Sequence, residues 1–161
     1  MGEDSASLRN ATPVSVSLLP EWESGVRAFI GRLEQAWKVR CVVLHGSFAT
    51  GNWIAGSDVD LVVIAEGLPG SFRERLAAIS DLLPRGVPME VLPYTPQEFD
   101  DMLDTMHVTA LEATSRGIPL VGQGYFQSLR VRLNDMVGRG LRRGRSSWYW
   151  EKHLPEDRGG G

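Results

Sequence analysis

Three carboxylates and one small turn could do chemistry together. Asp58 and Asp60 stand two residues apart at the head of an apolar run, and Glu90 stands inside a second apolar run. On an extended chain, residues i and i+2 point to the same face. Asp58 and Asp60 therefore share one face, and Val59, Leu61 and Val63 occupy the other. Val62 and Ile64 continue the acid-bearing face into the core, so the carboxylates sit at the strand end that solvent and substrate reach. Glu90 lies near the start of its own strand, flanked by Met89 and Val91 on the opposite face. A cluster of oxygen ligands only suits a hard cation such as Mg²⁺ and the phosphates of nucleotides. Gly46-Ser47 closes a third apolar run, with ten residues between Ser47 and Asp58.

The elements that must position these residues follow from spacing and punctuation. Pro20 opens a helix, with Glu21 and Glu23 near its positive end. Trp22, Val26, Phe29, Ile30, Leu33 and Trp37 give it one buried face. Residues 39–45 read as a buried strand broken by Gly46-Ser47, after which a short helical turn is expected. Gly51, Asn52 and Gly56 mark a loop, and 58–65 is the second strand. Ser71 caps a helix predicted to run through Leu83, with Glu74 completing a capping box and Phe72, Leu76, Ile79, Leu82 and Leu83 inward. Met89–Tyr94 is a third strand. Thr95 caps a helix that begins Pro96-Gln97-Glu98. A further helix is expected over 105–115, ended by Gly117, then a short extended piece at 118–121 and a final helix over 125–143. The expected fold class is α/β (α+β), a short mixed sheet flanked by helices. Residues 1–17 read as a flexible arm, 18–150 as a single domain and 151–161 as a flexible tail.

Composition narrows the chemistry. With 161 residues, 42% of them apolar, the chain can bury one core. No apolar run approaches the ~20 residues that span a bilayer, and no signal-peptide pattern opens the chain. The single cysteine, Cys41, forms no internal disulfide and reads as a buried small residue, so a reducing cytoplasm is expected. His45 reads as a packed strand end, and His107 and His153 have no partners at metal-ligand spacing. Net charge is −3, but residues 58–112 hold eleven acids and three Arg, whereas 130–145 hold six Arg and only Asp135. On one helix Arg132, Arg139 and Arg143 fall along one ridge beside a buried stripe of Phe126, Leu129, Leu133, Met136, Val137 and Leu141. That ridge has two readings, a solvated basic face or a contact for triphosphate or an acidic partner. The negative net charge and the short basic stretch weigh against nucleic acid. Trp148-Tyr149-Trp150 reads as core or partner packing.

The run Val42-Val43-Leu44-His45-Gly46-Ser47-Phe48-Ala49-Thr50-Gly51, followed by Ser57-Asp58-Val59-Asp60-Leu61-Val62-Val63, resembles the polymerase-β-like nucleotidyltransferase superfamily. It is most similar to the small minimal nucleotidyltransferases of antitoxin type, with kanamycin nucleotidyltransferase a more distant likeness. The resemblance covers roughly residues 25 to 115.

The resemblance implies a nucleotidyltransferase fold and transfer of an NMP group from an NTP, ATP foremost, to a hydroxyl, with pyrophosphate released. By the same likeness Asp58, Asp60 and Glu90 are the catalytic carboxylates and hold two Mg²⁺ ions. Gly46 and Ser47 hold the nucleotide phosphates, and Ser57, Arg132 and Arg139 join them as nucleotide-binding candidates. A turn leading into a helix favours such anions. Family members commonly carry Asp at the third acidic place. Glu90 departs from that pattern, and its extra methylene moves the ligand oxygen by ~1.5 Å, one carbon–carbon bond. The larger members' additional helical bundle has no counterpart here. Two function classes remain open: an enzyme whose acceptor is a helical toxin-like protein partner or a small molecule, or whose site is built across a homo-oligomer, and a non-catalytic nucleotide- or partner-binding module of the same fold.

Overall fold

The computed structural model describes residues 20–52, 54 and 56–152. The expected arm over 1–17 and all but two residues of the expected tail lie outside these. The chain runs α1 (Pro20–Ala36), β1 (Lys38–His45), α2 (Ser47–Thr50), β2 (Val59–Glu66), α3 (Phe72–Ser80), β3 (Met89–Tyr94), α4 (Pro96–Asp104), α5 (Val108–Arg116), β4 (Ile118–Val121), α6 (Gln123–Gly138), β5 (Leu141–Arg143) and β6 (Trp148–Trp150). The first four strands form one mixed sheet in the order β3-β2-β1-β4. β1 is antiparallel to both β2 and β4, and β2 is parallel to β3. A parallel pair needs a crossover, and α3 supplies it.

Strand alternation splits the core in two. One face of the sheet presents Val42, Leu44, Val59, Leu61 and Val63 to Val26, Phe29, Ile30 and Leu33 of α1. The other presents Cys41, Val43, Val62 and Ile64 to Phe99 and Leu103 of α4, Leu111 of α5 and Phe126, Leu129 and Leu133 of α6. Burial pushes the Cys41 thiol up to about 12, so it stays protonated and packs as an apolar residue. Of the two expected capping boxes, the one at Ser71 forms by half and the one at Thr95 in full. The Ser71 hydroxyl accepts from the Glu74 N–H at 3.1 Å, and Thr95 and Glu98 close a full capping box.

Four boundaries differ from expectation. α3 stops at Ser80 rather than Leu83, and Phe72, Leu76 and Leu83, expected inward, are each more than a third exposed. β2 begins at Val59 rather than Asp58. The helix expected from Thr105 begins at Val108, because the Thr105 hydroxyl and N–H both bond back to the Asp101 carbonyl and close α4. The last helix ends at Gly138, not Arg143. Gly140 then adopts φ 116, a left-handed turn that glycine favours, and accepts from the Glu151 N–H at 2.8 Å. Residues 141–150 fold back as the β5–β6 hairpin, and Glu151, expected in a loose tail, also pairs with Arg142 at 2.9 Å. Among the described residues, no helix is long and apolar enough to cross a membrane.

Candidate active site

Three strands bring the acids together. His45 on β1 pairs in register with Asp60 on β2, and Asp60 pairs in register with Glu90 on β3. All three continue the face that carries Cys41, Val43, Val62 and Ile64, so they line up side by side at one end of the sheet. Asp58 precedes Asp60 by two residues and adds its charge from the same strand.

The electrostatics of this row are crowded. Asp60 is half-buried, and its carboxyl is pushed up to about 6. Burial is the leading cause; the charges of Glu90 and Asp58 add to it, and so does a side-chain hydrogen bond with Glu90. Burial also holds the His45 imidazole below its ordinary value, with the Glu90 charge acting in the opposite sense. His45 Nε2 is buried without a hydrogen-bond partner. Among the described residues, no three His, Cys, Asp or Glu side chains are gathered as a metal cage. The donor set still fits a hard divalent cation, because carboxylates driven to share a proton are relieved when a cation takes the proton's place.

Gly46 follows His45 with φ 71, a conformation that side chains rarely adopt, and any Cβ there would collide with the Asp60 carboxylate. Glycine at this position therefore lets the acid approach the turn. Its carbonyl accepts from the Ala49 and Thr50 N–H groups at 3.2 Å each, and the Ser47 carbonyl accepts from the Asn52 N–H at 3.0 Å. The Ser47 hydroxyl has no hydrogen-bond partner among the described residues. Ser57 has one: its oxygen accepts from the Ile54 N–H at 3.0 Å.

The arginines expected to form a ridge are occupied elsewhere. Arg132 is held by Asp100 and Asp104 of α4. Arg139 pairs with Asp135 at 3.0 Å. Arg143 lies on β5, off the helix, and donates to Glu112 at 2.8 and 3.1 Å, where the Trp148 indole also donates at 2.7 Å. The structure thus brings Asp58, Asp60, Glu90 and Gly46 together and ties Arg132 and Arg139 to acids of their own. A further cation, not singled out by sequence, is Arg116, exposed at the end of α5, where its charge acts on Glu112. Two residues later Ile118 pairs with Leu44, the neighbour of His45. Arg beside Gly at a helix end reads as a simple complement to the helix dipole, and only the β1–β4 register brings it toward the acid end.

Residues 26–113, more than half of the chain, match a family model described as a nucleotidyltransferase domain. No curated protein matches the chain. Among solved structures, a toxin–antitoxin with AMP-PNP is similar over 68% of this chain and 85% of its own, at 18% identity and TM-score 0.45. A Sulfolobus solfataricus protein assigned as a nucleotidyltransferase is similar over 49% of this chain and 77% of its own, at 21% identity and TM-score 0.40. A mutant of the toxin–antitoxin pair MntA–HpeT is similar over 75% of this chain and 88% of its own, at 17% identity and TM-score 0.45.

Proposed function

The chain belongs to the nucleotidyltransferase domain family, and from that premise we propose that it moves an NMP group from an NTP, with ATP the first donor to test, onto a hydroxyl of a partner protein. The observation that carries this reading is the crowding of Asp58, Asp60 and Glu90 beside the Gly46 turn. Like charges packed at a sheet end weaken a fold, so their value lies in what they bind.

Asp58, Asp60 and Glu90 would hold Mg²⁺, two ions being the count the resemblance implies. When bound, the metal neutralises the triphosphate and aligns its α-phosphorus for in-line attack. The acceptor oxygen bonds to that phosphorus while the bond to the oxygen leading to the β-phosphate breaks, and pyrophosphate leaves with the electron pair. The acceptor's proton passes to a carboxylate, and Glu90, exposed at the edge of the row, reaches furthest for it. The Gly46 turn and the Ser47 hydroxyl, which has no hydrogen-bond partner among the described residues, suit the phosphates. Arg116 is the cation we assign to the triphosphate, in place of Arg132 and Arg139, whose guanidinium groups are taken. The antitoxin-type likeness makes a helical toxin-like partner, or a second copy of this chain, the acceptor source to test first. The buried thiol of Cys41 suits a reducing cytoplasm.

A second reading, a nucleotide- or partner-binding module without turnover, draws support from Glu90 in place of the family's usual Asp. The test is calorimetric titration of ATP, GTP, CTP and UTP with and without Mg²⁺, on wild type and Asp58→Asn, followed by transfer of α-labelled nucleotide. Metal-dependent binding that the variant loses, with label appearing on an acceptor, supports the enzyme. Binding without transfer supports a module that holds nucleotide, and no NTP binding at all sinks the enzyme and leaves a module that binds a partner alone.

A further inference from the structure

Asp58 is delivered to the site by a connection that carries two glycines. Residues 51–57 join α2 to β2, and Gly51 and Gly56 both take positive φ, 79 and 92. Ile54 is 73% exposed, so its own side chain gives the turn little packing. Among the described residues, two hydrogen bonds tie Ile54 to Ser57, and they are reciprocal. The Ile54 N–H donates to the Ser57 hydroxyl oxygen at 3.0 Å, and the Ser57 N–H donates to the Ile54 carbonyl at 3.0 Å. The next fastening is the Val59 N–H to the Pro88 carbonyl at 2.8 Å, which ties the start of β2 to the loop before β3. Asp58 lies between these two fastenings, exposed and with no hydrogen bond of its own among the described residues, so the backbone on either side sets its aim.

We propose that Ser57 is a positioning residue: by accepting the Ile54 N–H it closes the 54–57 turn and fixes the backbone that carries Asp58 into the acidic row. This rests on the reading of those acids as metal ligands. A ligand on a loosened backbone must be ordered at the moment of binding, and that lost freedom appears as weaker affinity. The hydroxyl oxygen is engaged with Ile54, while its proton is free to donate. A positioning role and a direct phosphate contact therefore make different demands. The first weakens cation binding even with no nucleotide present; the second weakens nucleotide binding alone.

Mn²⁺ separates them, because its free form is counted directly by electron paramagnetic resonance. Wild type, Ser57→Ala and Ser57→Thr are titrated with Mn²⁺ in the absence of nucleotide, then with ATP, and melted without metal. Ser57→Ala is expected to bind Mn²⁺ roughly tenfold more weakly, the scale on which groups behind a metal ligand act. Its melting temperature stays near wild type, since the Ile54 N–H it frees is at the surface and finds water. Ser57→Thr keeps the hydroxyl and restores the affinity. Unchanged Mn²⁺ binding in Ser57→Ala, with ATP affinity lost, overturns the proposal in favour of a phosphate contact. Equal loss in the Ala and Thr variants also overturns it, because the hydroxyl would then not be the cause. Wild type that takes up no Mn²⁺ overturns the metal-ligand reading itself, a failure visible before any variant is compared.

Discussion

The two charged regions of this molecule are wired in opposite ways. On the helical face every arginine expected to form a ridge has found an acid: Arg132 holds two carboxylates of α4, Arg139 holds Asp135 and Arg143 holds Glu112. At the sheet end, Asp58, Asp60 and Glu90 face one another, with no cation bonded to any of them among the described residues. Paired surface charge joins elements together and contributes modestly to stability. Crowded like charge opposes folding and persists where a ligand compensates it. What separates the regions is how much of their charge the fold has already used.

Asp60→Asn is the largest test of that contrast. The amide cannot serve as a charged metal ligand, so transfer should fall roughly 10²–10³-fold, the few kcal/mol that metal clamping supplies. Without metal the same variant should melt no lower than wild type, and somewhat higher, because one of the mutually repelling groups is gone. A calorimetric scan in chelator alongside an assay of labelled transfer checks both. A marked drop in metal-free stability would mean that Asp60 holds the fold together and would erase the contrast.

Arg75 marks the opposite extreme. It is only 5% exposed, and its guanidinium donates to the Pro69 carbonyl at 2.6 Å and to Glu98 at 2.8 Å, tying α3 to α4. Arg75→Ala should cost about 3 kcal/mol of stability, read by denaturant unfolding, since it strands buried acceptors and leaves a cavity. Transfer per folded molecule at low temperature should stay unchanged.

Sequence made the acid end more legible than the arginine face, for a physical reason. Strand parity is a local rule, so Asp58 and Asp60 on one face could be read from neighbours alone. Their nearness to Glu90 needed only one parallel pairing, which the register supplies at Asp60 and Glu90. The Thr95-Pro96-Gln97-Glu98 cap was legible for the same reason: its partners lie three residues apart. The arginine ridge depended on an unbroken helix from 125 to 143. Gly138 and Gly140 are tolerable inside a helix one at a time, but with Arg139 between them they ended it, and the hairpin recovered its hydrogen bonds from Glu151. Arg132's partners come from α4, about thirty residues earlier, a pairing that helical spacing cannot contain. His45's place beside Asp60 and Arg116's place toward the acid end were hidden likewise, because each is defined by register across strands.

Exchanging single arginines sharpens the contrast at intermediate size. Arg116→Ala should raise the KM for NTP several-fold and leave unfolding little changed, as expected for an exposed cation whose charge acts weakly on Glu112, four residues earlier. Arg132→Ala should do the reverse, lowering stability by about 1 kcal/mol through its two lost ion pairs while KM holds. If Arg132→Ala raised KM and Arg116→Ala did not, the paired face would be the nucleotide-binding one.

The smallest effect concerns pH, and its sign follows from the paired side of the comparison. The hydrogen bond from Arg75, the leading cause, holds the Glu98 carboxyl below its ordinary value of 4.5, helped by the Thr95 hydroxyl and N–H and opposed by burial. A depressed carboxylate favours the folded state at every pH above its unfolded value, and that share is lost as acid protonates it. Glu98 therefore stabilises the fold in full above pH 4.5 and releases that stabilisation as pH falls through its lower folded value. Glu98→Gln removes the titrating group, so the variant should be less stable than wild type near neutrality, and the gap should narrow below pH 4.5. Urea unfolding of both proteins across that range reads the gap directly. A gap that widened in acid would mean that the Arg75 contact disfavours the Glu98 anion, and the buried arginine would then have to be counted with the uncompensated charges rather than the paired ones.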